Sequence, residues 1–207
     1  SAPLPISSSG VKRIFIVPCN DLEAVEIINL LRQSGEQAVV SQQRWGAGWD
    51  KLEPEVAAAV EALLAKSPDA QVIGIELAGA PRWGGGNIDH HRWGDADRQS
   101  ELSSLEQIAD LLGVQLSRYL RLVAENDKGW IPALLRAGAE SGEISYIRLT
   151  DRCAQGVTPD DEAEAVRVIE QARWFGKKVM ATTTLSSFQL SPISDRLYGR
   201  ADEWLIK

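Results

Sequence analysis

Three short apolar runs, separated by two helical patterns, constrain this chain more than any other feature. Arg13-Ile14-Phe15-Ile16-Val17 is β-branched and stops at Pro18 and Asn20, the pattern of a strand buried on both faces. Asp21 then opens a helical pattern. Leu22, Val25, Ile28, Leu30 and Leu31 recur at three- and four-residue steps, and Gly35 closes it. Residues 37–41 read as a second strand, 53–66 as a second helix with Pro54 in its first turn, and 72–75 as a third strand. Strands alternating with helices predict an α/β fold, a doubly wound and mostly parallel sheet with helices on both faces.

From Leu77 to Gly94 the pattern changes. Gly79, Pro81, Gly84, Gly85, Gly86 and Gly94 surround Asn87-Ile88, which reads as a short strand. Ser103-Ser104-Leu105-Glu106-Gln107 then carries two overlapping capping boxes, predicting a helix to about Leu112 with Gly113 as its stop. A further helix is expected over 116–124. Another starts at Thr158-Pro159-Asp160-Asp161 and is expected to reach about Phe175, followed by strands at 177–181 and, on the sheet edge, 202–207. Residues 1–10 read as a disordered leader or a cloning remnant, and 11–207 as a single domain.

A formal charge of -7 argues against broad electrostatic binding to duplex DNA or anionic membranes. It leaves room for a small anion, because local cations set the potential inside a cleft. No apolar run is long enough to span a bilayer. Two cysteines, Cys19 and Cys153, are too few for a disulfide framework, so a cytoplasmic, reducing location is expected.

The two histidines of the chain are adjacent, in Asp89-His90-His91, after Asn87-Ile88. Sites in open parallel sheets form outside the carboxyl ends of strands, and imidazole with carboxylate suits Mn, Zn or Fe. Other acids follow other elements: Asp21 and Glu23 after the first strand, Glu76 after the third, Asp127 after a helix. Each has a plainer role as well. Asp21 reads as a helix N-cap, Glu23 as a complement to the helix dipole, Asp127 as a turn residue before Gly129, and the His pair as a polar loop.

Asn87-Ile88-Asp89-His90-His91 resembles the strand-plus-DHH signature of the DHH phosphoesterase superfamily, which includes RecJ-like exonucleases, nanoRNases and family II inorganic pyrophosphatases. Cys19-Asn20-Asp21-Leu22-Glu23 is similar to the first family motif, a histidine followed by Asp-x-Asp. Glu76 and Asp127 fall where the second- and fourth-motif aspartates stand. The resemblance implies a divalent metal site, with Mn as the expected ion and Zn or Fe as alternatives, held by Asp21, Glu23, Glu76, Asp89, His90 and Asp127. It implies that His91 faces the substrate and stabilises charge or donates a proton; Arg82 and Arg92 are expected to hold phosphate. The chain departs from the pattern in three places. Val17-Pro18-Cys19 supplies no first-motif histidine, and Glu23 and Glu76 replace aspartates. Cys19 is a candidate replacement ligand. The family's C-terminal substrate domain has a glycine-rich His motif, for which this chain has no histidine left.

Arg44-Trp45-Gly46, Arg82-Trp83-Gly84 and Arg92-Trp93-Gly94 repeat one tripeptide in predicted loops. Arginine offers a planar fork to phosphate and tryptophan a face for a base. Arg44, Trp45, Arg82, Trp83 and Trp93, with Gly85 bringing backbone N–H groups near an anion, are therefore expected to bind substrate. The same residues also suit a protein interface or plain sheet-edge packing. Two functions follow. One is metal-dependent hydrolysis of a small phosphate ester or anhydride, such as a nucleotide, a short or cyclic oligonucleotide, or pyrophosphate. The other is a catalytically impaired relative that binds a ligand or partner. A homo-oligomer joined through Trp174 or Trp204 is a further expectation.

Overall fold

The structure is a computed structural model that describes residues 12–90 and 102–207. The expected leader and three expected site residues, His91, Arg92 and Trp93, lie outside the described residues. The chain divides into two compact units, one up to Ile147 and the other Arg148–Lys207.

The first unit is built on a four-stranded parallel sheet of order β2-β1-β3-β4. Its strands are β1 (Arg13–Pro18), β2 (Gln37–Ser41), β3 (Gln71–Ile75) and β4 (Gly86–Ile88). The first two connections are α1 (Leu22–Gln33) and α2 (Pro54–Lys66). β1 pairs in parallel with both β2 and β3. The chain therefore steps one way from β1 to β2 and back past β1 to reach β3. Right-handed crossovers in opposite directions put their helices on opposite faces of a sheet.

The side chains agree with that topology. Ile14, Ile16 and Val72 pack with Val56 and Val60 of α2. Phe15, Val17 and Ile73 are equally buried and alternate to the other face. That face belongs to α1, which packs against α3 (Ser104–Leu112) and α4 (Arg118–Arg136).

No helix joins β3 to β4. The loop over 76–85 runs back along the strands instead, and Gly86 pairs beside Ile73. The loop is held against a preceding turn, where Ala78 N donates to Ala47 O (2.9 Å) and Trp49 N donates to Ala78 O (3.0 Å). Trp49 is only 1% exposed, which makes it part of the core of this face. Gly74 makes room for it: a Cβ there would collide with the Trp49 ring and lie 2.8 Å from Asn87 Oδ1 and 2.9 Å from Leu77 Cδ1.

α4 is two helical segments in one, because Gly129 and Trp130 leave helical geometry. Pro132 explains the break. It has no N–H for the Lys128 carbonyl, and its ring would clash there. At the start of a new helical turn the same residue is well placed. The helix expected over 116–124 is thus the first part of a longer element. α5 (Ser141–Ala154) follows and crosses into the second unit.

In the second unit α6 (Pro159–Glu170) starts at the expected Thr158 cap but stops before Phe175. Residues expected to extend it form β5 (Arg173–Phe175), an antiparallel hairpin with β6 (Lys178–Ala181). Trp174 and Phe175 favour the extended form, and Gly176 takes the positive φ of the turn. α7 (Ser191–Leu197) then carries the chain to β7 (Glu203–Ile206), which pairs in parallel with β6 at the sheet edge. Ala165, Val168, Val179, Ile193, Leu197 and Ala201 form the apolar core of this unit. Arg148 and Arg152 of α5 both bind Asp195 of α7, at 3.0 and 2.7 Å, and Arg152 also binds Glu162 of α6 at 2.6 Å. No helix of the described residues is long and apolar enough to cross a membrane.

The contact between Gly74 and Trp49 makes a direct prediction. Gly74→Ala should destabilise the protein by about 1–3 kcal/mol through overpacking. Gly86→Ala meets open space and should change stability by no more than about 0.5–1 kcal/mol. Urea unfolding of both variants measures the difference.

Candidate metal centre

Parallel pairing brings the carboxyl ends of β1, β3 and β4 to one edge of the sheet, and acids or histidine follow each of them. After β1, Asp21 turns the chain into α1 by accepting a hydrogen bond from Ala24 N at 2.8 Å. This is the N-cap role, and it places Glu23 in the first helical turn with only 4% exposure. After β3, Glu76 takes a φ of 50°, a left-handed conformation costly for a residue with a side chain. Its N–H donates to Ile88 O at 2.8 Å, which ties the turn to the end of β4. His90 follows β4 by two residues and is 2% exposed. Asp127 comes from α4, just before the Gly129–Trp130 break.

Glu23, Glu76, His90 and Asp127 meet there, each offering a ligand atom within 4.8 Å of the others. His90 lies between two carboxylates: Nδ1 is 3.1 Å from Glu76 Oε1, and Nε2 is 3.1 Å from Asp127 Oδ2. Ser104 Oγ donates to Glu76 Oε1 at 2.8 Å. Glu23 Oε2 is buried and meets no hydrogen-bond partner among the described residues.

The electrostatics of this group are unfavourable without a cation. Burial first, and then the carboxylates of Asp127, Glu76 and Asp21, push the Glu23 carboxyl well above the usual carboxylate range, against a hydrogen bond from Ser103. A divalent ion would neutralise two of the three negative charges and satisfy the orphaned Glu23 oxygen. The donor set of three carboxylates and one imidazole suits a borderline divalent metal. These four residues can therefore hold a divalent metal.

Of the six residues expected as ligands, the structure gathers four. Asp21 stands two residues from Glu23 with its carboxylate engaged in capping α1, and Asp89 lies outside the gathered donor set. Cys19 is a free, half-buried thiol, also outside that set. Sequence reasoning missed the start of α3. Ser103 and Ser104 are fully buried; the Ser104 hydroxyl binds Glu76, and the Ser103 hydroxyl, which caps α3 by accepting from Glu106 N, lowers the pKa of Glu23 against its burial. Glu106 closes the capping box on Ser103 N at 3.0 Å and binds Lys128 at 2.8 Å, next to Asp127. Burial opposes the Lys128 charge, but its bonds to Glu106 and Glu125 prevail and its pKa is raised. The overlapping capping boxes were the available signal, and they read only as a helix start.

Two of the arginine–tryptophan copies fall among the described residues, and their surroundings differ. Arg44 and Trp45 are exposed just beyond β2, Trp45 to 71%. Arg82 stacks on Trp83 with 4.3 Å to the ring centroid, and Trp83 packs against the apolar cluster around Trp49. Gly85 is close-packed: a Cβ there would lie 2.6 Å from Val72 O. Val72 stands near the start of β3 and Glu76 just beyond its end, so this second copy sits toward the opposite end of the strands. Arg82, Trp83 and Gly85, expected to bind substrate, thus stand away from the gathered acids. Their loop returns before β4 begins, which no local pattern announced.

Comparison with protein-family models gives no match for this chain, and comparison with curated proteins gives none either.

Glu23→Gln tests the electrostatic argument. The folded pKa of Glu23 is raised, so its stability contribution is full below the ordinary value near 4.5 and is lost as pH rises through the higher folded value. The metal-free variant should therefore unfold at a higher temperature than the parent at neutral pH, with little difference in mild acid. Added Mn should raise the melting temperature of the parent, by about 2.7 kcal/mol of stability at a hundredfold excess over Kd, and leave the variant nearly unchanged. Calorimetry with and without metal measures both effects.

Proposed function

We propose that this chain is a metal-dependent phosphoesterase of the DHH type, acting on a small phosphate ester or anhydride such as a nucleotide or short oligonucleotide. One observation carries the reading. Glu23, Glu76, His90 and Asp127 come from four separate segments, and each stands where the DHH resemblance assigned a metal ligand. Two free thiols, Cys19 and Cys153, accord with a cytoplasmic setting.

Mn is the ion the reading favours, and a bound divalent metal lowers the pKa of its water and draws charge from a phosphoryl oxygen. The chain's own residues supply the rest. Glu23, Glu76, His90 and Asp127 would hold the ion. Ser104 fixes the Glu76 carboxylate from the N-terminus of α3, and the positive end of that helix favours negative charge at the same place. On this reading His91 and Arg92, one and two residues beyond His90, serve the substrate phosphate.

A second reading has its own support. One Asp21 oxygen caps α1 and Asp89 stands outside the donor set, so the donor set gathered among the described residues suits one ion. A clamp of two ions ~3.5–4 Å apart needs more. A relative that binds metal and ligand without turnover fits that count.

Elemental analysis and an assay on a model phosphodiester and a panel of nucleotides separate the two. The enzyme reading expects stoichiometric Mn, Zn or Fe, lost in His90→Ala, with Mn-dependent hydrolysis falling by at least ~100-fold, about 2.7 kcal/mol. Bound metal with no hydrolysis selects the second reading. A protein that binds no added Mn and hydrolyses nothing rejects both.

A further inference from the structure

We propose that the Arg148–Lys207 unit carries a ligand site of its own, for a small phosphorylated molecule with an apolar body. The site is a hollow of about 440 Å³ bounded by Arg167 of α6 and by residues of the three-stranded sheet. That volume is in the range of small-molecule pockets, which run from about 300 to 1,000 Å³.

The charge pattern of the unit singles the hollow out. Its nine basic residues are matched by nine acidic ones, so the negative charge of the chain belongs to the first unit. Six of the nine bases have acidic partners: Arg148, Arg152, Arg167, Arg196, Lys177 and Lys178. Arg200 lies over the Trp174 ring at 5.5 Å. Arg173 and Lys207 remain, exposed and without an acidic or aromatic partner among the described residues. Both line the hollow. Two unpaired cations converging on one concavity make it a place where an anion is favoured.

The strand register arranges the rest. Arg173 pairs across β5 and β6 with Met180, and Met180 pairs with Leu205 of β7. Cross-strand partners share a face of the sheet, so an apolar floor, Met180 and Leu205, lies beside the Arg173 guanidinium. Met180 is 42% exposed and Leu205 51%, so this floor is open to a ligand. Lys207 stands two residues beyond Leu205 and returns to the same face by strand alternation. Arg173 and Leu205 are two strand spacings apart, roughly 10 Å, within reach of a pair of long side chains closing on one phosphate. The hydroxyl of Thr182 on the lining adds a neutral donor. Arg167 is held by Glu164 at 2.6 Å and forms a fixed wall more than a free charge. Guanidinium offers phosphate two parallel hydrogen bonds, and the thioether and leucine floor suits a flat or aliphatic body.

The residues of this site are all in the second unit, so binding there does not depend on the metal centre. The experiment titrates the full chain with adenosine monophosphate and with inorganic phosphate, followed by isothermal calorimetry and backbone NMR shifts, in chelator so that no metal contributes. Saturable binding of adenosine monophosphate is expected, with shifts at Arg173, Met180, Leu205 and Lys207. Charge reversal at the two exposed cations, Arg173→Glu with Lys207→Glu, should weaken it at least about tenfold. His90→Ala should leave it unchanged. The milder Arg173→Gln, weakening binding with an unaltered spectrum elsewhere, guards against misfolding as the cause. Failure of both probes to bind saturably at millimolar concentration, or binding indifferent to the charge reversal, overturns the proposal whatever the metal assays return.

Discussion

Parallel pairing of β1 with both its neighbours, and of β3 with β4, decides where the acids of this chain meet. In a parallel sheet every strand delivers its carboxyl end to the same edge. Whatever follows β1, β3 and β4 in sequence is thereby brought together in space. In this chain those followers are Glu23, Glu76 and His90. Helices then wall the edge. α1 carries Glu23, α3 points its amino end at Glu23 and Glu76, and the first segment of α4 supplies Asp127. Three carboxylates crowded about one imidazole repel one another. Burial first, and then that repulsion, raise the pKa of Glu23, and a divalent cation would relieve both.

Two local backbone irregularities set the geometry of the edge. Glu76 leaves β3 in a left-handed conformation, so its side chain turns toward His90 and Ser104 while its N–H is held by Ile88 O. Pro132 forces the end of the first α4 segment at Lys128, which leaves Asp127 on the last helical turn facing the site. Strain of this kind persists only where surrounding contacts over-determine it. The hydrogen bonds of Glu76 and the Glu106–Lys128 ion pair are such contacts.

The second unit is organised differently. Its charges are balanced in number and largely paired in space, with Arg148 and Arg152 joining α5 to α7 and α6. Breaking one partner of a buried pair leaves the other uncompensated, so this network holds the three helices in one arrangement. The two cations left over face a shared hollow. Charge that is neither paired nor spread over the surface is the feature that distinguishes this unit from a purely structural appendage.

The periodicities of the sequence determined much of the first unit. Arg13–Pro18, Gln37–Ser41 and Gln71–Ile75 are strands because short β-branched runs flanked by breakers have few other stable forms, and the Asp21 and Ser103 caps start helices where their side chains can satisfy free N–H groups. The adjacency of Asp89, His90 and the acids at strand ends made a candidate metal centre legible, since residue type and strand position are both local properties. Other features depended on pairings between distant segments. The loop holding Arg82 and Trp83 returned to the far end of β3, and 173–175 left the expected helix to pair with β6. Ser104 joined the site only because α3 packs against α1. A side chain's identity says what it can bind, but its partner is chosen by whichever surface the folded chain brings within reach. For Asp89-His90-His91 the sequence determined the chemistry on offer, and tertiary packing selected His90 with Glu23, Glu76 and Asp127 as the group that can use it.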